Sequence, residues 1–134
     1  MNECGQIPGG TRLAAVAGYF YPDNPGELEL ALQTCLDAAR SEDPPPKAII
    51  APHAGYIYSG PVAASAYCHF RTCADRINRV VLLGPAHRVY LQGMALSSAS
   101  EFRTPLGDIR IDTATAAELL KHPDVCIMDA AHRQ

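Results

Sequence analysis

Apolar residues recur at helical spacing between Pro25 and Arg40: Leu28, Leu32, Cys35, Leu36 and Ala39 form one stripe at i, i+4, i+7, i+8 and i+11. Asn24, Pro25 and Glu27 supply an N-cap, an N1 proline and a capping-box acid, so a helix is predicted over 25–40. The Ser-Glu-Asp-Pro-Pro-Pro stretch that follows is a loop. The pattern then changes to short, unbroken apolar runs. "AIIAP", Ala48 to Pro52, and "VVLLGP", Val80 to Pro85, each read as a strand covered on both faces, with proline sitting where a ladder ends. Between them a helix starting at Pro61 carries Val62, Ala63, Ala66, Tyr67 and Phe70 inward and ends near Phe70, and "RTCADRINR" is a polar connection. Strand, helix, strand with uniformly apolar strands predicts a βαβ unit, with 48–51 and 80–83 adjacent, parallel and joined by a right-handed crossover.

The remainder is less regular. "GMALSS" is a candidate strand, "EFRTPLGDIRID" an extended or hairpin segment, and "TATAAELLKH" a helix capped by Asp112 or Thr113. No internal repeat, low-complexity segment or linker divides residues 1–134, so the chain reads as one α/β domain with a parallel-rich sheet flanked by helices. A layer of only two to four strands leaves a face or edge uncovered, and "DAAHRQ" adds no closing element, so the domain is expected to be incomplete in this chain.

Composition narrows the partners. With 48% hydrophobic and 19% charged residues the chain is ordinary globular material, and a net charge of -3 gives no basic field for nucleic acid or anionic lipid. The N-terminus shows no basic region leading into an apolar one, and nowhere do about 18 apolar residues run together, so a cytoplasmic protein is expected. Five cysteines, Cys4, Cys35, Cys68, Cys73 and Cys126, lack CxxC spacing. They suggest small, reduced core residues and neither a disulfide framework nor a zinc knuckle.

The chemistry lies just past the prolines. His53 follows Pro52, and His87 lies two residues after Pro85. Proline ends a strand and holds its predecessor extended, so each histidine is set beyond the carboxyl edge of the sheet, where ligands bind in open parallel sheets. Neighbouring strands about 5 Å apart would bring both imidazoles within reach of one metal ion, which would still need a third ligand. The plainer alternative is a pair of hydrogen-bonded turn histidines. Gly55 suits close backbone approach to whatever His53 faces, and Tyr56 and Tyr58 alternate along an extended segment, one toward the core and one toward the cleft, or both as packing aromatics. His69, His122 and His132 read as surface residues.

Together "AVAGYFYP", "KAIIAPHAGYIYSGPVAASAY", "VVLLGPAHRV" and "FRTPLGDIRID" resemble, in order and across nearly the whole chain, the Memo family, whose bacterial members are called AmmeMemoRadiSam system protein B. The resemblance implies a fold similar to class III extradiol dioxygenases and a non-haem metal site built on strand ends. It makes His53 and His87 two of three metal ligands, with the third, a cysteine, beyond Gln134 along with an aspartate and a histidine of the pocket. Phe20 stands where some members have tryptophan, and Tyr21 and Tyr58 match tyrosines near the cleft.

Two functions follow. One is a redox or oxygenase-like protein holding iron or copper, which a thiolate beside two imidazoles suits better than magnesium or calcium. A cysteine in place of the usual extradiol carboxylate argues against assuming catechol cleavage. The other is a non-enzymatic module that binds a peptide or protein partner in the same cleft, lined by Phe20, Tyr21, Arg88 and Arg103. The family's system name implies association with radical-SAM and AMMECR-type proteins. A phosphate site at the Gly-Pro turns is weaker, since no Gly-rich loop is present.

Overall fold

The computed structural model describes residues 7–133, which form two compact units, Val16–Leu83 and a second that joins the residues up to Ala15 with those from Gly84 onward. Cys4 lies outside the described residues.

In the first unit, α1 (Pro25–Ala38) starts as its sequence specifies. The Asn24 side chain accepts from the Gly26 and Glu27 N–H groups at 2.9 and 3.1 Å. It stops two residues short of the expected end because Ala39 is extended, its N–H donating to Leu36 O. At that terminus Arg71 donates to the Leu36 carbonyl (2.9 Å) and to Asp37 (2.6 Å), which holds the Asp37 carboxyl below its ordinary range. The predicted stripe faces inward: Leu28 is buried, and Leu32, Cys35, Leu36 and Ala39 are half-buried.

Helix α2 (Tyr56–Tyr67) begins five residues before Pro61, a correction to the expected start. Gly55 is its N-cap, and Ser59 Oγ donates back to Ala54 O at 2.8 Å, so the Tyr-Ile-Tyr-Ser segment that looks extended in sequence is the first turn. Pro61 sits inside and removes one ladder donor. A short 3-10 turn, Cys68–Phe70, carries the helical path to the predicted end. α1 and α2 pack closely at Gly60, where an added Cβ would lie 3.2 Å from Cys35 Sγ.

The expected strand pair is not formed. Residues 48–51 and 80–83 take part in no ladder, and Ile50 is 100% and Leu82 81% exposed. Their composition suits strands buried on both faces, and the described residues offer nothing to cover or pair them. Strand formation needs those partners as much as it needs β-branched side chains.

Among the described residues, the second unit holds all the strands. β1 (Thr11–Arg12), β2 (Met94–Leu96), β3 (Glu101–Thr104) and β4 (Gly107–Arg110) are followed by α3 (Thr113–Leu119) and β5 (Val125–Ile127). One sheet has the order β1-β3-β4, with β1 parallel and β4 antiparallel to β3, and the other is the parallel pair β2-β5. The "GMALSS" strand, the "EFRTPLGDIRID" hairpin and the helix capped by Asp112, which accepts from Thr115 N–H at 2.9 Å, all appear as read. The class is therefore α/β with mixed and parallel pairings.

The interior is mostly small residues, Ala64, Cys68, Cys73, Ala99 and Ala116, with Leu28 and Val125 buried beside them, and among the described residues no large side chain is fully buried. Cys35, Cys68, Cys73 and Cys126 are free thiols, Cys68 and Cys73 buried and the other two half-buried.

Gly93 fixes the β2-β5 pair. Its φ is +87°, and an added Cβ would fall within the radius of the Asp124 carbonyl oxygen, the same oxygen that accepts from Met94 N–H at 2.8 Å. Gly93→Ala should destabilise the chain by at least about 2 kcal/mol, combining a left-handed backbone penalty with loss of that bond. Thermal unfolding followed by circular dichroism checks this, and an unchanged midpoint would contradict it.

Candidate functional site

His53 is exposed and lies between the unpaired run 48–51 and the Gly55 cap of α2. Residues 16–21 form a tight turn that docks on this helix start. Tyr19 and Phe20 N–H groups donate to Val16 O, Gly18 N–H donates to Tyr21 O at 2.8 Å, and Tyr56 N–H donates to Phe20 O at 2.7 Å. The Tyr21 and Tyr56 rings lie 5.7 Å apart, tilted by 45°. Burial first, and the neighbouring Tyr21 second, push the Tyr56 phenol above its ordinary pKa.

Three candidates, Phe20, Tyr21 and Tyr58, therefore lie together as an aromatic ledge at the start of α2, and His53 precedes that helix by three residues in sequence. Tyr56 and Tyr58 do point apart, but by helical geometry, about 200° for two residues, and not by strand alternation. Tyr56 packs on Tyr21, while Tyr58 is 79% exposed. Gly55 approaches the Phe20 backbone. An added Cβ would stand 3.4 Å from Phe20 O, an ordinary contact, so nothing in this unit demands glycine there.

The remaining candidates lie in the second unit. His87 and Arg88 are exposed on the irregular stretch before β2. Arg103 is engaged across the hairpin, Nε and Nη2 each donating at 2.9 Å to the two oxygens of Asp108, its register partner. That bidentate pair lowers the Asp108 pKa. Among the described residues no group of three or more His, Cys, Asp or Glu side chains is placed to hold a metal ion. The imidazole chemistry suits iron or copper, but the donor count within these residues does not complete a site.

Two histidines read as surface residues have defined settings. His69 Nδ1 is 2.9 Å from Ser41 Oγ. His132 is half-buried, with Nε2 3.2 Å from Ala95 O, its ring 6.3 Å from Phe102, and its carbonyl accepting from Arg12 Nε at 2.7 Å. His122 is exposed, as expected.

Asp129 was not legible in the sequence. Its carboxylate accepts from the Ser98 hydroxyl (2.5 Å), the Ser98 N–H (2.8 Å) and the Ser97 hydroxyl (3.1 Å) beside a groove of about 460 Å³ that also touches Thr11, His132 and Arg133. No local spacing links serines at 97 and 98 to an acid at 129, since only the β2-β5 pairing joins them.

Residues 12–134 match the family described as Memo-like protein. The chain belongs to the Memo family. Protein MEMO1 of Danio rerio is 46% identical over 110 residues, which are 82% of this chain and 36% of that protein. The human Protein MEMO1 is 44% identical over 110 residues, with the same shares. The memo-1 homolog of Caenorhabditis elegans is 39% identical over 119 residues, 89% of this chain and 33% of that protein. This Memo chain thus spans about a third of the length of these relatives. No helix among the described residues is long and apolar enough to cross a membrane.

Asp129 generates a pH prediction. The Ser98 hydroxyl, foremost, and then the Ser98 N–H hold its carboxyl below the ordinary 3.8, against burial, with Ser97 and Arg133 adding to the effect. A depressed folded pKa contributes stability that is present above the unfolded value and lost as pH falls from about 4 through the folded pKa. Asp129→Ala should lower the unfolding midpoint at pH 7 and flatten its pH dependence below about 4. Parallel curves for variant and parent down to pH 2 would remove Asp129 as the source.

Proposed function

We propose that this chain supplies two imidazole ligands, His53 and His87, to a non-haem iron or copper site of a Memo-like protein whose third ligand is a cysteine outside these residues, on a fold similar to class III extradiol dioxygenases. The observation that carries this reading is the family match, which runs through both histidines and the apolar run before each. When bound, the metal would supply redox or Lewis-acid chemistry. Each histidine would present one neutral ring nitrogen. Phe20, Tyr21 and Tyr58 would wall the approach with aromatic surface, and Arg88 would add a positive charge. Arg103, the remaining pocket candidate, is held by Asp108 within its own hairpin.

A second reading, a module binding a peptide or protein partner, is favoured by the exposed ledge itself, where Phe20 is 49% and Tyr58 79% exposed. Large aromatic side chains left in water at a helix start are common anchors for partners.

The test compares the chain alone with a chimera that continues after residue 134 with the remainder of the zebrafish relative. At equal, sub-saturating iron or copper, the chain alone should bind weakly and the chimera tightly, by about tenfold or more for each added anionic ligand. His53→Ala and His87→Ala in the chimera should each remove the tight binding. Equal affinity for chain and chimera, or unchanged binding in both variants, overturns the three-ligand reading. An intact partner interaction in a metal-free His53→Ala chimera would favour the binding module.

A further inference from the structure

The groove of about 460 Å³ lies inside the second unit, where β1 meets the segments that follow β2 and β5, and its volume is within the roughly 300–1,000 Å³ of small-ligand clefts. Its polar lining has two opposite chemistries. The Ser97 and Ser98 hydroxyls both donate to Asp129, and Ser97 Oγ also accepts from Ala99 N–H at 3.2 Å. With the Ser98 N–H these serines take three of about four lone-pair directions on the carboxylate, so Asp129 Oδ2 and Ser98 Oγ are left as acceptors. Arg12 is the counterpart. Its guanidinium lies 4.7 Å from the Phe102 ring centroid, and Nε donates to His132 O at 2.7 Å, the only side-chain hydrogen bond of Arg12 among the described residues. Ring and carbonyl fix the guanidinium plane, and Nη1 and Nη2 remain as a fork of the kind that grips a carboxylate. Arg133, exposed, adds a second guanidinium to the lining.

We infer that this groove binds a small zwitterion of the amino-acid class, its carboxylate on the Arg12 fork and its ammonium on Asp129 and Ser98 Oγ. The ligand class follows from the two sets of partners. An inorganic anion would satisfy the guanidinium groups and bring its charge toward the Asp129 carboxylate, while a simple cation would meet Arg12 and Arg133 in the same lining. An apolar ligand would cover these groups without giving them a partner. A molecule carrying both charges answers both ends. The residues involved are apart from His53 and His87, and the binding needs no metal.

The test is run in chelator, so its outcome is independent of the metal reading. Glycine, β-alanine and γ-aminobutyrate, which set the two charges progressively further apart, are titrated into the 134-residue chain, with butyrate and butylamine as controls that carry one charge each. Calorimetry reads affinity and amide chemical shifts read position. At least one zwitterion should bind about tenfold or more tightly than either control, the increment of one charge-assisted hydrogen bond, and shifts should gather at 9–13, 97–99 and 129–133. Arg12→Lys keeps the charge but loses the fork, and should bring that zwitterion down to the affinity of butylamine. Asp129→Asn should bring it down to that of butyrate. Should Asp129→Asn fail to fold, the parent's shift map and Arg12→Lys give the decision. Zwitterions that bind no better than the controls, shifts gathered elsewhere, or affinity indifferent to Arg12→Lys would each overturn the inference. The chimera with the remainder of the zebrafish relative should bind the same zwitterion equally well. Loss of binding there would assign the groove to the polypeptide that follows residue 134 and would overturn the inference too.

Discussion

Everything distinctive in this chain turns on backbone pairing in two apolar runs. A buried strand must satisfy every N–H and C=O along a ladder, and 48–51 and 80–83 have no ladder within the described residues. Their side chains, isoleucine and alanine in one run and valine and leucine in the other, would gain by burial on both faces, so leaving them exposed forfeits the main driving force available to that segment. The histidines that follow inherit the consequence. His53 and His87 are set by the ends of those runs, and an imidazole is held in place only as firmly as the backbone that presents it.

What does form is held by short-range devices. Asn24 caps α1 and Asp112 caps α3. These act within a few residues and need no remote strand. The longer-range ties each engage the backbone: the Arg71 side chain donates to the Leu36 carbonyl at the end of α1, the Tyr56 N–H to the Phe20 carbonyl, and the Ser98 N–H to the Asp129 carboxylate. Such bonds fix the turn at 16–21 on α2 and the C-terminal turn on β2, and they explain how ordered local geometry coexists with an interior that buries mostly alanine, cysteine and serine.

The legibility of the sequence follows the same division. Elements whose signals are local, the capped helix at 25, the hairpin at 101–110 and the helix at 113, were readable because the residues that decide them lie within one or two turns. The start of α2 was misread because tyrosine and isoleucine favour strands, and the deciding facts, a glycine cap and a serine reaching back to Ala54, register only once the turn exists. The two-residue strand β1 and the three-residue β5 carry too little pattern to announce themselves. The apolar runs show the converse: their composition names the environment they are suited to, and the fold of this chain does not supply it. Of the candidate residues, Phe20, Tyr21 and Tyr58 lie together because α2 begins at Tyr56, not through strand alternation, while the Asp129 cluster depends on pairing between segments about thirty residues apart.

On the proposed metal reading, ordering the runs and completing a ligand set would be linked steps. Fixing an unpaired segment costs roughly 1–2 kcal/mol of backbone entropy per residue, and a metal bound by two imidazoles on unpaired segments would have to meet that cost from ligation alone. Strand pairing meets it from hydrogen bonds and apolar burial instead, after which the imidazoles are already positioned and ligation energy goes to affinity. The same reasoning separates the two readings of the aromatic ledge. Phe20 and Tyr58 stand on a helix start already tied down by the Phe20 to Tyr56 hydrogen bond, so a partner anchored there needs no sheet, whereas a metal held by His53 and His87 does.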